Sequence, residues 1–233
     1  MPVTVHEYTA PEEFLGRAGA LLERDPVRNG LMLSILQTLR TQPERYYAFH
    51  LWLAEGDGEP VGAATITLPF NLLLTEQGDP AAIRAIAEAV SARGVRPSGV
   101  NAAEPVATAF ADEWRRLTGT TARTRMRLRL HRLERVAPLP EPVGAMRECR
   151  PGDRPLLLRW WVGFAAEAGP AEQPGEAQRS VDGRMAEPLG VVVWELDGRA
   201  VSMAGAAPSP GSALSTPHPS CAAAAMRRRW WRS

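Results

Sequence analysis

The sequence predicts an α/β fold, a mixed sheet covered by helices and laid out twice in tandem. Three observations predict it. Strand-like and helix-like segments follow one another in a set order through residues 3–130, and that order restarts near residue 145 after a proline-rich linker. The two stretches also share landmarks at an offset of 140: Thr9-Ala10-Pro11 corresponds to Cys149-Arg150-Pro151, Asp57-Gly58 to Asp197-Gly198, and Val61 to Val201. Few letters are identical, so the repeat is one of layout.

The elements of the first copy follow from periodicity. Val3 to Tyr8 reads as a short strand. Pro11 to Arg24 places Phe14, Leu15, Ala18, Leu21 and Leu22 on one helical face, and Pro26 to Arg40 does the same with Val27, Leu31, Ile35 and Leu39. Phe49 to Glu55 and Val61 to Leu68 form a hairpin around Asp57-Gly58, and Leu72 to Thr75 makes a fourth strand. Asp79 is an N-cap with Pro80 at the first helical position, followed by the stripe Ile83, Ile86, Ala87 and Val90. A strand near Val95 to Val100 leads into a helix from Glu104 to Leu117 with Val106, Phe110 and Trp114 inward. Last, Met126, Leu128 and Leu130 alternate with Arg125, Arg127 and Arg129, the period of a half-buried strand.

Ala137 to Val143 carries three prolines and separates the copies. Ala145 to Cys149 restarts as a strand. Asp153 to Ala168 is a helix with Leu157, Trp161, Phe164, Ala165 and Ala168 on one face, and a weaker helix spans Glu176 to Ala186. The strands VVVWEL and AVSMAGA flank Asp197-Gly198. The expected organisation is a first copy over residues 1–137, a linker over 138–144, the start of a second copy over 145–208, and a tail over 209–233 outside the pattern.

Composition narrows the function classes. With 233 residues, 45% of them apolar, the chain can bury one large or two smaller cores. Every basic residue among the 27 counted as Lys or Arg is Arg, the mark of a GC-rich gene. The net charge of +1 depends on Arg227, Arg228, Arg229 and Arg232, without which the chain stands at −3. Such a body is not built for nucleic acid. Only Cys149 and Cys221 are present, too few for a disulfide framework, and a reducing cytoplasm is the expected compartment. No signal-like start and no apolar run near the roughly 20 residues of a membrane span occurs.

The order of elements, with WELDGRAVSMAGA as the second and third strands of the second copy, resembles the GNAT superfamily of acyl-CoA-dependent N-acetyltransferases. It resembles in particular bacterial members with a degenerate first copy and a working second one. The resemblance covers about residues 1–208 by layout. It implies an acyltransferase with acetyl-CoA as co-substrate and a small-molecule or peptide amine as acceptor. In such folds the fourth strand runs into a Q/R-x-x-G-x-G/A loop, whose backbone N–H groups at a helix N-terminus hold the coenzyme A diphosphate. The first copy reads LLLTEQGDPAAI at that place and carries no such loop. RLTGTT, from Arg116 to Thr121, ends a helix and lacks the final small residue.

In the second copy the loop falls due where the chain closes on CAAAAMRRRWWRS. Read from the third base of each codon, Ser215 onward permits YTPPELRGRGYASALVA, which contains R-x-x-G-x-A followed by a helix-like stretch. The expectation is a frameshift between about Pro208 and Ser215, so that no residue of this chain holds the cofactor. At the 140-residue offset Ser233 matches Arg93, and the second copy is expected to lack counterparts of residues 94–140.

The resemblance further implies that a carboxylate or ordered water deprotonates the amine, that backbone donors of the fourth strand stabilise the oxyanion, and that a hydroxyl protonates the thiolate. None of these catalytic groups is assignable to a residue. The acceptor is usually shaped by the first two helices, which makes Trp160, Phe164 and Glu167 the substrate candidates; aromatics at helical spacing are also the ordinary pattern of a core. His6, His50, His131 and His218 lack metal spacing. Cys149 reads as a buried thiol, Arg123, Arg125, Arg127 and Arg129 as a solvated sheet face, and Glu195 as a turn-flanking surface residue. Two rival classes remain: an inert scaffold, and a tail that seeks a membrane or single-stranded nucleic acid through Arg227–Arg232 with Trp230 and Trp231. Neither a membrane nor a nucleic acid is the expected partner.

Overall fold

A two-residue hairpin of the type I′ kind, whose twist matches that of its strands, needs positive φ at both central residues, which aspartate tolerates and glycine favours. In a computed structural model of the chain, Asp57 and Gly58 sit at φ 52° and 80°, and Asp197 and Gly198 at 49° and 73°. The structure describes residues 2–75, 79–132, 135, 143–168, 175–187 and 190–205. It divides into two units, residues 1–132 and 133–233. Among the described residues there are six α-helices and two sheets, one mixed and five-stranded, the other antiparallel and three-stranded. No helix there is long and apolar enough to cross a membrane.

The first unit runs β1 (Val3–Tyr8), α1 (Pro11–Glu23), α2 (Gly30–Thr41), β2 (Ala48–Gly56), β3 (Glu59–Leu68), β4 (Leu72–Leu74), α3 (Pro80–Ala92), β5 (Val100–Asn101) and α4 (Glu104–Thr118). The sheet order is β1-β2-β3-β4-β5, antiparallel except where β5 lies parallel to β4. Alternation along the strands then builds a core on each face. Trp52, Ala54, Ala64 and Ile66 pack with Ile83, Ile86, Val90 and Phe110 of α3 and α4. Leu51, Leu53, Ala63 and Leu73 pack with Phe14, Leu22, Met32 and Leu36 of α1 and α2.

Three expectations are corrected here. The second helix begins at Gly30 and not Pro26, because Asp25 organises a turn: its side chain accepts the Arg28 N–H and its carbonyl the Asn29 N–H. Asn29, buried, donates its amide to the Leu22 carbonyl, meeting one of the unpaired acceptors in the last turn of α1. The inward stripe is Met32, Leu33, Leu36 and Leu39 in place of the expected Val27, Leu31, Ile35 and Leu39, and Leu31 is 56% exposed. The strand expected at Val95–Val100 contracts to Val100–Asn101; Pro97 has no N–H to donate to a ladder. The strand expected through Met126, Leu128 and Leu130 is not formed: residues 119–132 join no ladder among the described residues, and the three apolar side chains are exposed. Period-two patterning makes a segment fit for a half-buried sheet, but a strand exists only where a neighbour completes its hydrogen bonds.

The second unit contains β6 (Ala145–Glu148), a 3₁₀ turn at Pro151–Asp153, α5 (Arg154–Ala168), α6 (Glu176–Met185), β7 (Val191–Leu196) and β8 (Arg199–Gly205). Its sheet order is β6-β7-β8, all antiparallel. Leu157, Val181, Val191 and Val193 form its buried core, with Trp160, Trp161 and Met203 partly covered against them.

The two central hairpins share local geometry. Each central hairpin carries a register shift two residues before its Asp-Gly turn, between Ala54 and Glu55 and between Trp194 and Glu195. His6 lies opposite Leu53, and Arg147 opposite Val193. A first-strand side chain approaches the glutamate at the shift in each unit: His6 Nε2 is 3.6 Å from Glu55, and the Arg147 guanidinium hydrogen-bonds Glu195.

Candidate functional site

Two places carry the chemistry that the sequence raises: the helix terminus after the fourth strand of the first unit, and the α5 region of the second.

A diphosphate cradle needs free backbone N–H groups at a helix N-terminus. At α3 that terminus is already in use. Asp79 Oδ1 accepts the Ala81 N–H at 2.8 Å, and Pro80 at the first helical position has no N–H to offer. A carboxylate thus occupies the spot where a diphosphate would have to sit, and its charge opposes an incoming anion. The neighbouring strand end is closed too: Thr75 is buried, donates its N–H to the Ala63 carbonyl at 3.0 Å, and accepts the Ala63 N–H on Oγ1 at 3.0 Å. The residues of the first unit therefore do not fit the coenzyme A diphosphate.

In the second unit the expected substrate residues share one stripe of α5, at i, i+4 and i+7. Trp160 is partly buried against the Leu157 core, whereas Phe164 is 54% exposed and Glu167 is exposed. Beside them Trp161 lies 6.4 Å from the Phe164 ring, and the Arg184 guanidinium carbon stands 5.3 Å from the centre of the Trp161 ring. The inward face expected for Phe164 is thus corrected. Leu157 is fully buried and Phe164 is not, because α5 has a narrow contact with a three-stranded sheet. An exposed ring one turn from a carboxylate can attract a cationic amine through its π face and its charge, but no wall opposite α5 encloses it among the described residues.

The strongest electrostatic cluster of this unit was not singled out by the sequence. Arg147 grips Asp153 with two parallel hydrogen bonds of 2.7 and 3.1 Å, and its Nε donates to Glu195. Asp153 also accepts the Arg150 N–H at 2.7 Å, closing the turn that starts α5. The Arg147 hydrogen bonds hold the Asp153 carboxyl below its usual range, and the two carboxylates push the Arg147 guanidinium still further toward its charged form. Glu195, expected to be a turn-flanking surface residue, is instead half-buried and paired. Its match to Glu55 at the shared offset was the available signal. Cys149 is partly covered, and burial raises its thiol above the ordinary value, which leaves it in the unreactive form. Cys221, His218 and residues 209–233, including Arg227–Arg232, Trp230 and Trp231, lie outside the described residues.

In the first unit, Glu7 bridges His50 Nδ1 at 2.9 Å and Arg93 Nε at 3.2 Å, and the His50 ring stacks on Trp52 with centroids 5.3 Å apart. Beside it Val5, Trp52, Ala89 and Ala92 line an open hollow of about 300 Å³. Judging histidines by metal spacing alone passes over this pair. Arg123, Arg125 and Arg129 are exposed, and Arg127 pairs loosely with Glu104 at 3.2 Å. Among the described residues no cluster of His, Cys, Asp or Glu is placed to hold a metal ion.

No family model, curated protein or solved structure matches the chain. The functional reading rests on the chain's own residues and layout.

Proposed function

We propose that the chain follows the plan of an acetyl-CoA-dependent N-acetyltransferase of the GNAT superfamily. In this reading the first copy is structural, the second is laid out for acetyl transfer to a primary amine, and the chain with this sequence does not turn over. The observation that carries it is the recurrence of one layout. A strand, two helices and a hairpin with an Asp-Gly turn and a register shift before it occur in both units, and the first unit goes on to the parallel β4–β5 pair with α3 and α4. Asp79 at α3 supports the structural role of the first copy, since it excludes the anion that such chemistry must hold.

In the second unit, Phe164 and Glu167 on α5 would steer the amine as a cation, and the acceptor must lose a proton before it attacks the thioester carbonyl. No Q/R-x-x-G-x-G/A pattern occurs in residues 206–233. Acetyl-CoA therefore has no glycine-lined amides in this chain to hold its diphosphate.

The test compares two proteins, the chain as given and a version in which residues 209–233 are replaced by the alternative reading of the same nucleotides, continued to that frame's stop. Acetyl-CoA should raise the melting temperature of the restored chain and leave that of the given chain unchanged. Stabilisation of the given chain would remove the inactivity claim. A restored chain that folds and ignores acetyl-CoA would remove the family reading.

The scaffold reading has one observation of its own: the first unit carries a core on each face of its sheet and closes its helix terminus with its own carboxylate. It predicts that both proteins fold and neither binds acetyl-CoA.

A further inference from the structure

Where α3 ends over β1, a hollow and a set of polar groups meet. Val5 and Glu7 alternate to the same face of β1, opposite Ala54 and Trp52 of β2, and α3 packs on that face. Ala89, Ala92 and Arg93 share one side of the end of α3, at i, i+3 and i+4. Two of these three are alanines, and such short side chains leave space between the helix and the strand. That space is the open hollow of about 300 Å³, lined by Val5, Glu7, Trp52, Ala89, Ala92 and Arg93.

The polar groups form an opposed pair. Glu7 Oε1 accepts from His50 Nδ1 at 2.9 Å and from Arg93 Nε at 3.2 Å, and the His50 ring is itself fixed by its stack on Trp52. A carboxylate accepts up to about four hydrogen bonds, so Glu7 keeps capacity for a further donor. Arg93 uses only Nε. Among the described residues its two terminal nitrogens make no hydrogen bond, and its side chain is 57% exposed. The hollow thus offers an acceptor and a donor of opposite charge side by side, next to the apolar side chains of Val5, Ala89 and Ala92.

We infer that this hollow binds a free α-amino acid with an apolar side chain. An amino acid carries a carboxylate and an ammonium on one carbon, the complement of a guanidinium and a carboxylate held 3.2 Å apart. A simple acid would meet Arg93 but face the charge of Glu7, and a simple amine would meet the reverse conflict. A zwitterion satisfies both groups and adds no net charge. Size agrees as well, since small-molecule sites begin at about 300 Å³, room for a head group and one side chain such as that of leucine. That side chain leaves water for the surface of Val5, Ala89 and Ala92, which glycine cannot do. The hollow lies in the unit that the acetyltransferase plan leaves without chemistry, and its occupancy does not depend on that plan.

An NMR titration of the isotope-labelled full chain with L-leucine, up to about 20 mM, reads the binding directly. Saturable shifts are expected at the amides of Val5, Glu7, Ala89, Ala92 and Arg93 and at the Trp52 indole N–H, with a Kd of about 0.1–1 mM. Isocaproate, which lacks the ammonium, isoamylamine, which lacks the carboxylate, and glycine, which lacks the apolar group, should each bind at least about 5-fold more weakly. These comparisons use the unaltered chain and so do not rest on any variant folding. Arg93→Gln and Glu7→Gln should each weaken L-leucine by about 5-fold or more. Ala92→Trp fills the hollow from an exposed position and should abolish binding with the circular dichroism spectrum unchanged. Shifts that never saturate, the outcome for ion pairs that merely tie α3 to β1, would overturn the inference. So would L-leucine binding no tighter than isocaproate or isoamylamine, or binding that survives Ala92→Trp in a folded chain.

Discussion

Thr65 offers a test of how the core of the first unit is satisfied. It sits on β3 opposite Leu51 and Leu73, on the face that α1 and α2 cover, and is 0% exposed. Its Oγ1 has no hydrogen-bond partner among the described residues. In the unfolded chain that hydroxyl is solvated, so burying it unmatched costs about 1–3 kcal/mol. Valine has the same shape with a methyl in place of the hydroxyl. Thr65→Val should therefore stabilise the first unit by about 1 kcal/mol, a rise of roughly 3–5 °C in melting temperature for a unit of this size. Thr75→Val is the internal control, with opposite sign. It strands the Ala63 N–H that Thr75 Oγ1 now accepts and should cost about 1–3 kcal/mol. Urea unfolding of the three proteins, with unchanged slopes, gives both values. A neutral or destabilising Thr65→Val would show that the hydroxyl is satisfied, for instance by a buried water, and would refute the reasoning.

Further outcomes follow from the other sites. Asp153 has its folded-state pKa depressed by Arg147, so the stability it contributes is present above the unfolded value of about 3.9 and is lost as pH falls toward the folded value. Asp153→Asn should lower the stability of the second unit at pH 7, and the gap from the parent should close in unfolding curves taken below about pH 4. Leu157→Ala empties the centre of a four-residue core and should cost about 2–5 kcal/mol, read as hydrogen exchange that accelerates in β6–β8 and not in β1–β5. Asp79→Ala removes the α3 cap and should cost about 1 kcal/mol in thermal unfolding without creating acetyl-CoA binding, since Pro80 still lacks an N–H.

What the sequence shows of the site is uneven for physical reasons. Trp160, Phe164 and Glu167 are legible as one helical stripe because a period of 3.6 fixes which residues share a face. Whether the stripe lies in a core depends on what packs over it, and a sheet of three strands leaves Phe164 outside. The Arg147–Asp153–Glu195 cluster combines a local contact six residues apart with one 48 residues apart, and no local pattern reports a pair closed by strand register. Its only trace in the sequence is a glutamate two residues before each Asp-Gly turn.

By itself the sequence determined the local elements: both Asp-Gly hairpins, the Asp79–Pro80 helix start, the amphipathic α1, α3 and α4, and the restart at Ala145. Each is set by backbone sterics, capping chemistry or side-chain period within a few residues. Tertiary structure alone decided where α2 begins, because Asp25 and Asn29 commit their hydrogen bonds to the turn and to the end of α1. It also decided that Glu195 is paired and that Met126, Leu128 and Leu130 join no ladder among the described residues. A strand, an ion pair and a buried face each need a partner distant in the chain, and only folding chooses that partner.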